Sequence, residues 1–174
     1  MNNKYYGLKT EYSPIREDSS RVIISYGYES ADKKHGTWYE VALYKKQTSA
    51  LSFADIKAAI LADINARTDE KIVSGYVWDG KSVWLSGENQ FNFKAIYDRA
   101  VQTEGAILPV TFKIGETEEG VPVYHTFTNL ADLKSFYEGA VEFILATLAD
   151  GWQEKDAIDW SPWNTETTEE QNNI

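Results

Sequence analysis

Trp78, Lys81, Trp84, Asn89, Gln90 and Asn92 fall within "VSGYVWDGKSVWLSGENQFNFKAIY" (73–97), where residue types and spacing come nearest to chemistry. Indole rings stack on sugars, bases and peptide side chains, and amides both donate and accept hydrogen bonds. The competing reading is a hairpin and a helix start that use these groups internally. A two-residue Asp79-Gly80 loop pairs Trp78 with Lys81, Tyr76 with Val83 and Gly75 with Trp84. That pairing lays Trp84 over a glycine, as architecture, and leaves Trp78 and Lys81 at the tip as candidate partner-binding residues. The amides then stand where a helix must satisfy its first N–H groups.

Other chemistry is thinly supplied. Neither the phosphate-cradling G-x-x-x-x-G-K-[ST] loop nor the dinucleotide G-x-G-x-x-G pattern occurs, and there is no G-x-S-x-G elbow. The two histidines, His35 and His125, have no companions at metal-ligand spacing. Asp63, Asp69 and Glu70 read as a helix surface and its end. With 27 acidic residues, carboxylate pairs arise by chance and carry no signal for glycoside hydrolysis. The expectation is a protein with no catalytic residues, no metal and no cofactor. Two more tryptophans, Trp160 and Trp163, flank Pro162 in a polar segment. They either fold back on their own domain or dock on a neighbour, and so complete the candidate partner-binding set.

The elements that would position these groups follow from periodicity. Residues 1–48 read as β, with strands at 21–28 and 36–46 joined by the polar loop "ESADKKHG". In the second strand Tyr39, Val41 and Leu43 form the apolar set, and Trp38, Glu40, Ala42 and Tyr44 the mixed one. Pro14 punctuates a loop before them. Ser52 with Asp55 caps a helix carrying Phe53, Ile56, Ile60 and Ile64 to about Arg67. After the Asp79-Gly80 hairpin, Ser86 or Asn89 caps a second helix with Phe93, Ile96, Tyr97, Ala100 and Val101 on one face, and Gly105 stops it. Segments 106–114 and 121–127 form a second hairpin. Thr128 or Asn129 caps a long helix ended by Gly151, and "WQEKDAID" makes a short last one.

The fold class expected is therefore α+β. An N-terminal antiparallel β module (1–48), for attachment or self-association, precedes a domain of two β-hairpins and three to four helices (52–159), and an acidic flexible tail (160–174) ends the chain. Composition fits a folded protein: 43% hydrophobic, 14% aromatic, six Trp and eleven Tyr in 174 residues. A net charge of −10 excludes duplex nucleic acid and an anionic membrane surface as partners. No apolar run approaches the roughly 20 residues that span a bilayer. The N-terminus has no leader pattern and there is no Cys, which points to synthesis in a bacterial-type cytoplasm. Charge is segregated. Residues 1–48 carry eight basic against six acidic groups, and residues 150–174 one against seven.

Several segments together resemble a family: "IKAAILADINARTDEKIVSGYVWDGKSVWLSGENQFNFKAIYDRA" (56–100), then "LPVTFKI", "VYHTFTNLADLKSFYEGAVEFI" and "GWQEKDAIDW". Their order is similar to an uncharacterised domain family of tailed phages and prophages, associated with tail-fibre and tail-assembly genes. The features shared are an acidic helix end at Asp69-Glu70, the hairpin opening Ser74-Gly75-Tyr76, the amide run at 88–94, and a closing helix from Trp152 to Ile158. The likeness spans residues 53–159 and carries no catalytic residues.

It implies a non-enzymatic structural component of a tailed-phage virion, of the tail or tail fibres. Such a protein would work through contacts with other virion proteins and as a homo-oligomer. Segregated charge would let the basic N-terminal part of one copy meet the acidic tail of the next. The alternatives are a tail-fibre assembly chaperone absent from the mature particle, and a carbohydrate-binding module whose hairpin-tip aromatics contact host glycan.

Overall fold

Residues 4–45 and 51–164 are described by the structure, a computed structural model; the acidic residues 165–174 of the expected tail lie outside them. The class is α+β: the described residues form a four-stranded antiparallel sheet, two two-stranded hairpins and three α-helices. The chain divides into two packing units, 1–67 with 152–174, and 68–151.

The first unit is built on the sheet. Strands β1 (Lys4–Leu8), β2 (Ile15–Glu17), β3 (Arg21–Ser30) and β4 (His35–Tyr44) lie in the order β1-β4-β3-β2. β2 lies in the stretch around Pro14 that reads as a loop, and β1 in a stretch assigned no strand of its own, because short edge strands of mixed composition carry little periodic signal. On β3, alternation turns Val22, Ile24 and Tyr26 to one face, opposite Leu43, Val41 and Tyr39 of β4. Helix α1 (Phe53–Ser74) lays Ile56, Ile60 and Ile64 on that face, and these residues make one core with Trp163. The expected apolar set on β4 is thus the inward one. Ser52 and Asp55 close the capping box at the helix start: Ser52 N–H donates to Asp55 Oδ2 (3.0 Å) and Asp55 N–H to Ser52 Oγ (3.2 Å). The other sheet face buries a charge. Glu40 is 7% exposed because Arg16 grips both its oxygens at 2.7 Å and the Trp38 indole N–H donates to it at 2.8 Å.

Helix α1 does not end near Arg67 or at Asp69-Glu70 as expected; it runs on through Ser74. Acidic residues on an exposed helix surface do not break a helix, and Ile72 keeps the apolar spacing inward. Helix α3 (Leu130–Asp156) likewise passes unbroken through Gly151, so the expected stop and the separate last helix are one continuous element. Gly151 is there for space. A Cβ on it would stand 2.5 Å from Thr68 Oγ1.

The second unit holds hairpin β5–β6 (Tyr76–Trp78, Lys81–Val83), helix α2 (Gly87–Gln102), hairpin β7–β8 (Val110–Glu116, Pro122–Phe127) and most of α3. Asp79 (φ 50°) and Gly80 (φ 71°) both sit in the left-handed region, as the two-residue turn requires. Asn129 caps α3, accepting the Asp132 N–H at 2.9 Å. The core is aromatic. Phe93, Phe127 and Phe136 are buried among Leu85, Ile114 and Leu133, with ring centroids 5.0 Å apart for Phe93–Phe136 and for Phe127–Phe136.

Candidate functional site

Helix α2 decides which aromatic side chains of the second unit are buried and which are exposed. Ser86 is its N-cap, with Oγ accepting the Asn89 N–H at 3.3 Å. The amides beside it are spent on the chain itself: Asn89 Nδ2 donates to the Trp84 carbonyl (2.8 Å) and Gln90 Nε2 to the Leu85 carbonyl (2.7 Å). These bonds clamp the exit of β6 to the first helical turn. Two residues on a helix differ by about 200° in direction, so neighbouring phenylalanines part company. Phe93 enters the core at 2% exposure and Phe91 stands outside at 73%. Val101, expected on the inner face, is also exposed.

Helix α3 continues the outer surface. Leu133, Phe136 and Ala140 face the core, whereas Val141 (36%) and Leu145 (59%), one turn apart, remain exposed. Between α2 and α3 lies a groove of about 320 Å³, walled by Gln90, Phe91 and Lys94 on one side and Tyr137, Val141 and Ile144 on the other. Tyr97 stacks on Tyr137 at 4.3 Å, fixing that phenol ring against the neighbouring helix. Lys94 at the rim is tied to Asp98 (2.6 Å), and that hydrogen bond raises its pKa. An apolar floor with a rim of paired charge is the pattern of a binding surface.

The expected partner-binding residues are placed differently from the sequence reading. Trp78 is not a free tip residue. Its ring packs 5.4 Å from both Phe127 and Phe136 and 4.8 Å from His125. Its cross-strand neighbour Lys81 lies at the edge, Nζ 3.3 Å from His125 Nδ1 and 3.4 Å from Asp79 Oδ2. Trp84, read as architecture over Gly75, is 46% exposed. Its N–H instead bonds the Ile114 carbonyl (2.7 Å), and what presses on Gly75 is the Lys71 carbonyl and Phe143. The reason is period two: Tyr76, Trp78, Lys81 and Val83 share one hairpin face, and the opposite face carries Val77, Ser82 and then Trp84.

In the first unit, Trp160 is half-buried, edge-on to Phe53 at 6.2 Å, with Lys57 Nζ 5.4 Å from its ring centre. Trp163 is 6% exposed and donates its indole N–H to the Pro14 carbonyl (3.0 Å). Both fold back on their own unit. The outward residues Phe91, Val141 and Leu145 were missed as site candidates. The signal for Phe91 was present in the phase of α2, where it sits out of step with Phe93, Ile96, Tyr97 and Ala100.

Among the described residues no group of three or more His, Asp and Glu is placed to hold a metal ion, and no helix is long and apolar enough to cross a membrane. A family model described as a domain of unknown function, DUF4376, matches residues 55–173. That span leaves out β1–β4 and reaches further towards the C-terminus than the likeness read from motifs, which covered 53–159. No curated protein and no solved structure matches the chain.

Proposed function

This chain belongs to the DUF4376 family, and from that premise we propose that it is a non-enzymatic structural component of a tailed-phage particle, of the tail or tail fibres. It works through protein–protein contacts, with other virion proteins and with copies of itself. The observation that carries the mode of action is the α2–α3 face, where Phe91 at 73% and Val141 at 36% exposure line an apolar groove. A folded domain gains nothing from leaving such side chains in water. The placement in a phage particle is supported by the motif order across 53–159. Mass spectrometry of purified particles tests it. Stoichiometric presence agrees with a virion component, and absence, with the protein found only in the lysate, favours the assembly chaperone.

A second reading, glycan binding, gains one specific observation and loses another. Trp78 is committed to the core, but the Trp84 indole is exposed between two shallow clefts lined by Ser82 and Glu116 on one side and by Glu88 and Asn89 on the other. That is a stacking platform beside groups that bond hydroxyls. Saturable fluorescence quenching by host-surface polysaccharide, lost in Trp84→Ala, would favour this reading; no quenching rejects it.

A further inference from the structure

The first unit sets its own cations against aromatic rings and carboxylates repeatedly. The Arg67 guanidinium lies 3.8 Å from the centre of the Tyr39 ring and hydrogen-bonds Asp63, Glu154 and the Tyr26 hydroxyl. Arg16 forks onto Glu40 beside Trp38. Lys57 covers Trp160. A fourth assembly has the same ingredients and no cation of its own among the described residues.

It is made by a bulge. Between the pairs Tyr26–Tyr39 and Glu29–Thr37, Gly27 and Tyr28 of β3 both stand opposite Trp38, with Gly27 at φ +63°. Such a bulge re-aims the side chain that follows it, and Tyr28 stands beside Tyr12 with ring centroids 4.8 Å apart. The segment after α3 then closes the space with Ile158, Asp159, Pro162 and Trp163, leaving a pocket of about 270 Å³. Asp159 stands exposed at its mouth, where Oδ1 accepts the Ser161 N–H at 2.9 Å. It is near enough to Tyr12 to raise that phenol's pKa, second to the effect of burial.

We propose that this pocket binds an arginine side chain of a partner protein. A guanidinium is planar, weakly hydrated and able to stack on Tyr or Trp faces while its fork meets a carboxylate. A lysine ammonium is a compact, strongly hydrated charge and loses more on entry. The proposal rests on the reading that the protein works through protein contacts, but it uses a different unit from the α2–α3 groove.

The test uses the full chain with ¹⁵N-labelled tryptophan, the Trp163 indole signal being assigned by Trp163→Phe. N-acetyl-arginine methylamide should shift that signal saturably, capped lysine should bind at least about tenfold more weakly, and neutral capped citrulline should have no effect. Asp159→Asn should weaken the arginine response up to about fivefold, the range for an exposed charge pair. No saturable shift, or an equal response to citrulline, overturns the proposal. Free arginine binding more than about tenfold tighter than the capped form overturns the partner-side-chain assignment in favour of a small guanidino ligand. Phe91→Glu should leave the arginine response intact, so loss of either site is read separately from loss of the other.

Discussion

Phe91 and Phe93 stand two positions apart on α2 and do opposite work. Phe93 joins Phe112, Phe127, Phe136 and Trp78 in an aromatic core, where every ring touches another ring. Phe91, with Val141 and Leu145, forms a face of the same unit that touches solvent. Residue type is nearly the same in both regions, so type alone cannot distinguish a residue buried in the core from one left on the surface. On α2 phase does: Phe93, Ile96, Tyr97 and Ala100 keep the helical stripe and Phe91 falls off it, whereas Val101 and Val141 lie at the edges of their stripes and are exposed. The comparison also separates two currencies. Changes inside should be read in stability, and changes outside in association.

The largest effect should come from inside. Phe136→Ala, at a site with no exposure between Tyr76, Trp78, Phe93 and Phe127, should cost about 3–5 kcal/mol in chemical denaturation. Trp78→Ala should fall near the lower end, about 3 kcal/mol, because the ring is only partly buried. A Trp78→Ala protein of native stability would return that residue to the surface and undo the contrast. Next is Gly151→Ala. The methyl meets Thr68 within a packed helix pair, so a loss of about 1–3 kcal/mol is expected despite the better helix propensity of Ala. A gain in stability would show that Gly151 is a simple helix weakness.

Outside, Phe91→Ser and Trp84→Ala should change stability by no more than about 0.5 kcal/mol. The smallest effects are electrostatic. The Ser20 N–H, the Arg21 guanidinium and the Arg21 N–H hold Asp18 down to about 2, and the Lys34 N–H, the His35 ring and the His35 N–H hold Asp32 down to about 2, from an ordinary 3.8. A carboxylate depressed on folding stabilises above its unfolded value, and that contribution fades as pH falls from about 4 towards 2. Carboxyl titration by NMR should place both midpoints near 2, and ordinary midpoints would remove these turns from the account.

Much of this was legible. The Asp79-Gly80 turn, the Ser52–Asp55 box, the Ser86 and Asn129 caps and the apolar set on β4 are local rules, and each is met by short-range hydrogen bonds or alternation. What escaped depended on distance along the chain. Whether Gly151 stops a helix or admits a neighbour is settled by Thr68, 83 positions away in sequence. Glu40 reads as a solvent residue until Arg16 is folded onto it. β1 and β2 exist as strands because β4 and β3 offer them edges. The exchange of roles between Trp78 and Trp84 is different, since alternation around the Asp79-Gly80 turn contained it. The apolar company of Tyr76 and Val83 marked the Trp78 face as the inner one. Trp160 and Trp163 could not be placed from sequence, because their docking partners, Phe53, Lys57 and Pro14, lie more than 100 residues earlier.

The packing of Trp160 and Trp163 also changes how the role of segregated charge should be probed. Removing 160–174 would uncover the core of the first unit as well as delete acidic groups. Removing 165–174 deletes Glu166, Glu169 and Glu170 and keeps Trp160 and Trp163 in the chain. If the charged end joins copies, that shorter truncation should weaken association at low salt.

The claim at the centre is that the α2–α3 face is a contact surface. The most direct measurement is light scattering across a concentration series of the full chain and Phe91→Glu, with chemical denaturation run alongside. The account predicts that the wild type associates with itself or co-elutes with its particle partners, and that Phe91→Glu abolishes this with stability unchanged within about 0.5 kcal/mol. Undiminished association by a fully folded Phe91→Glu would contradict it.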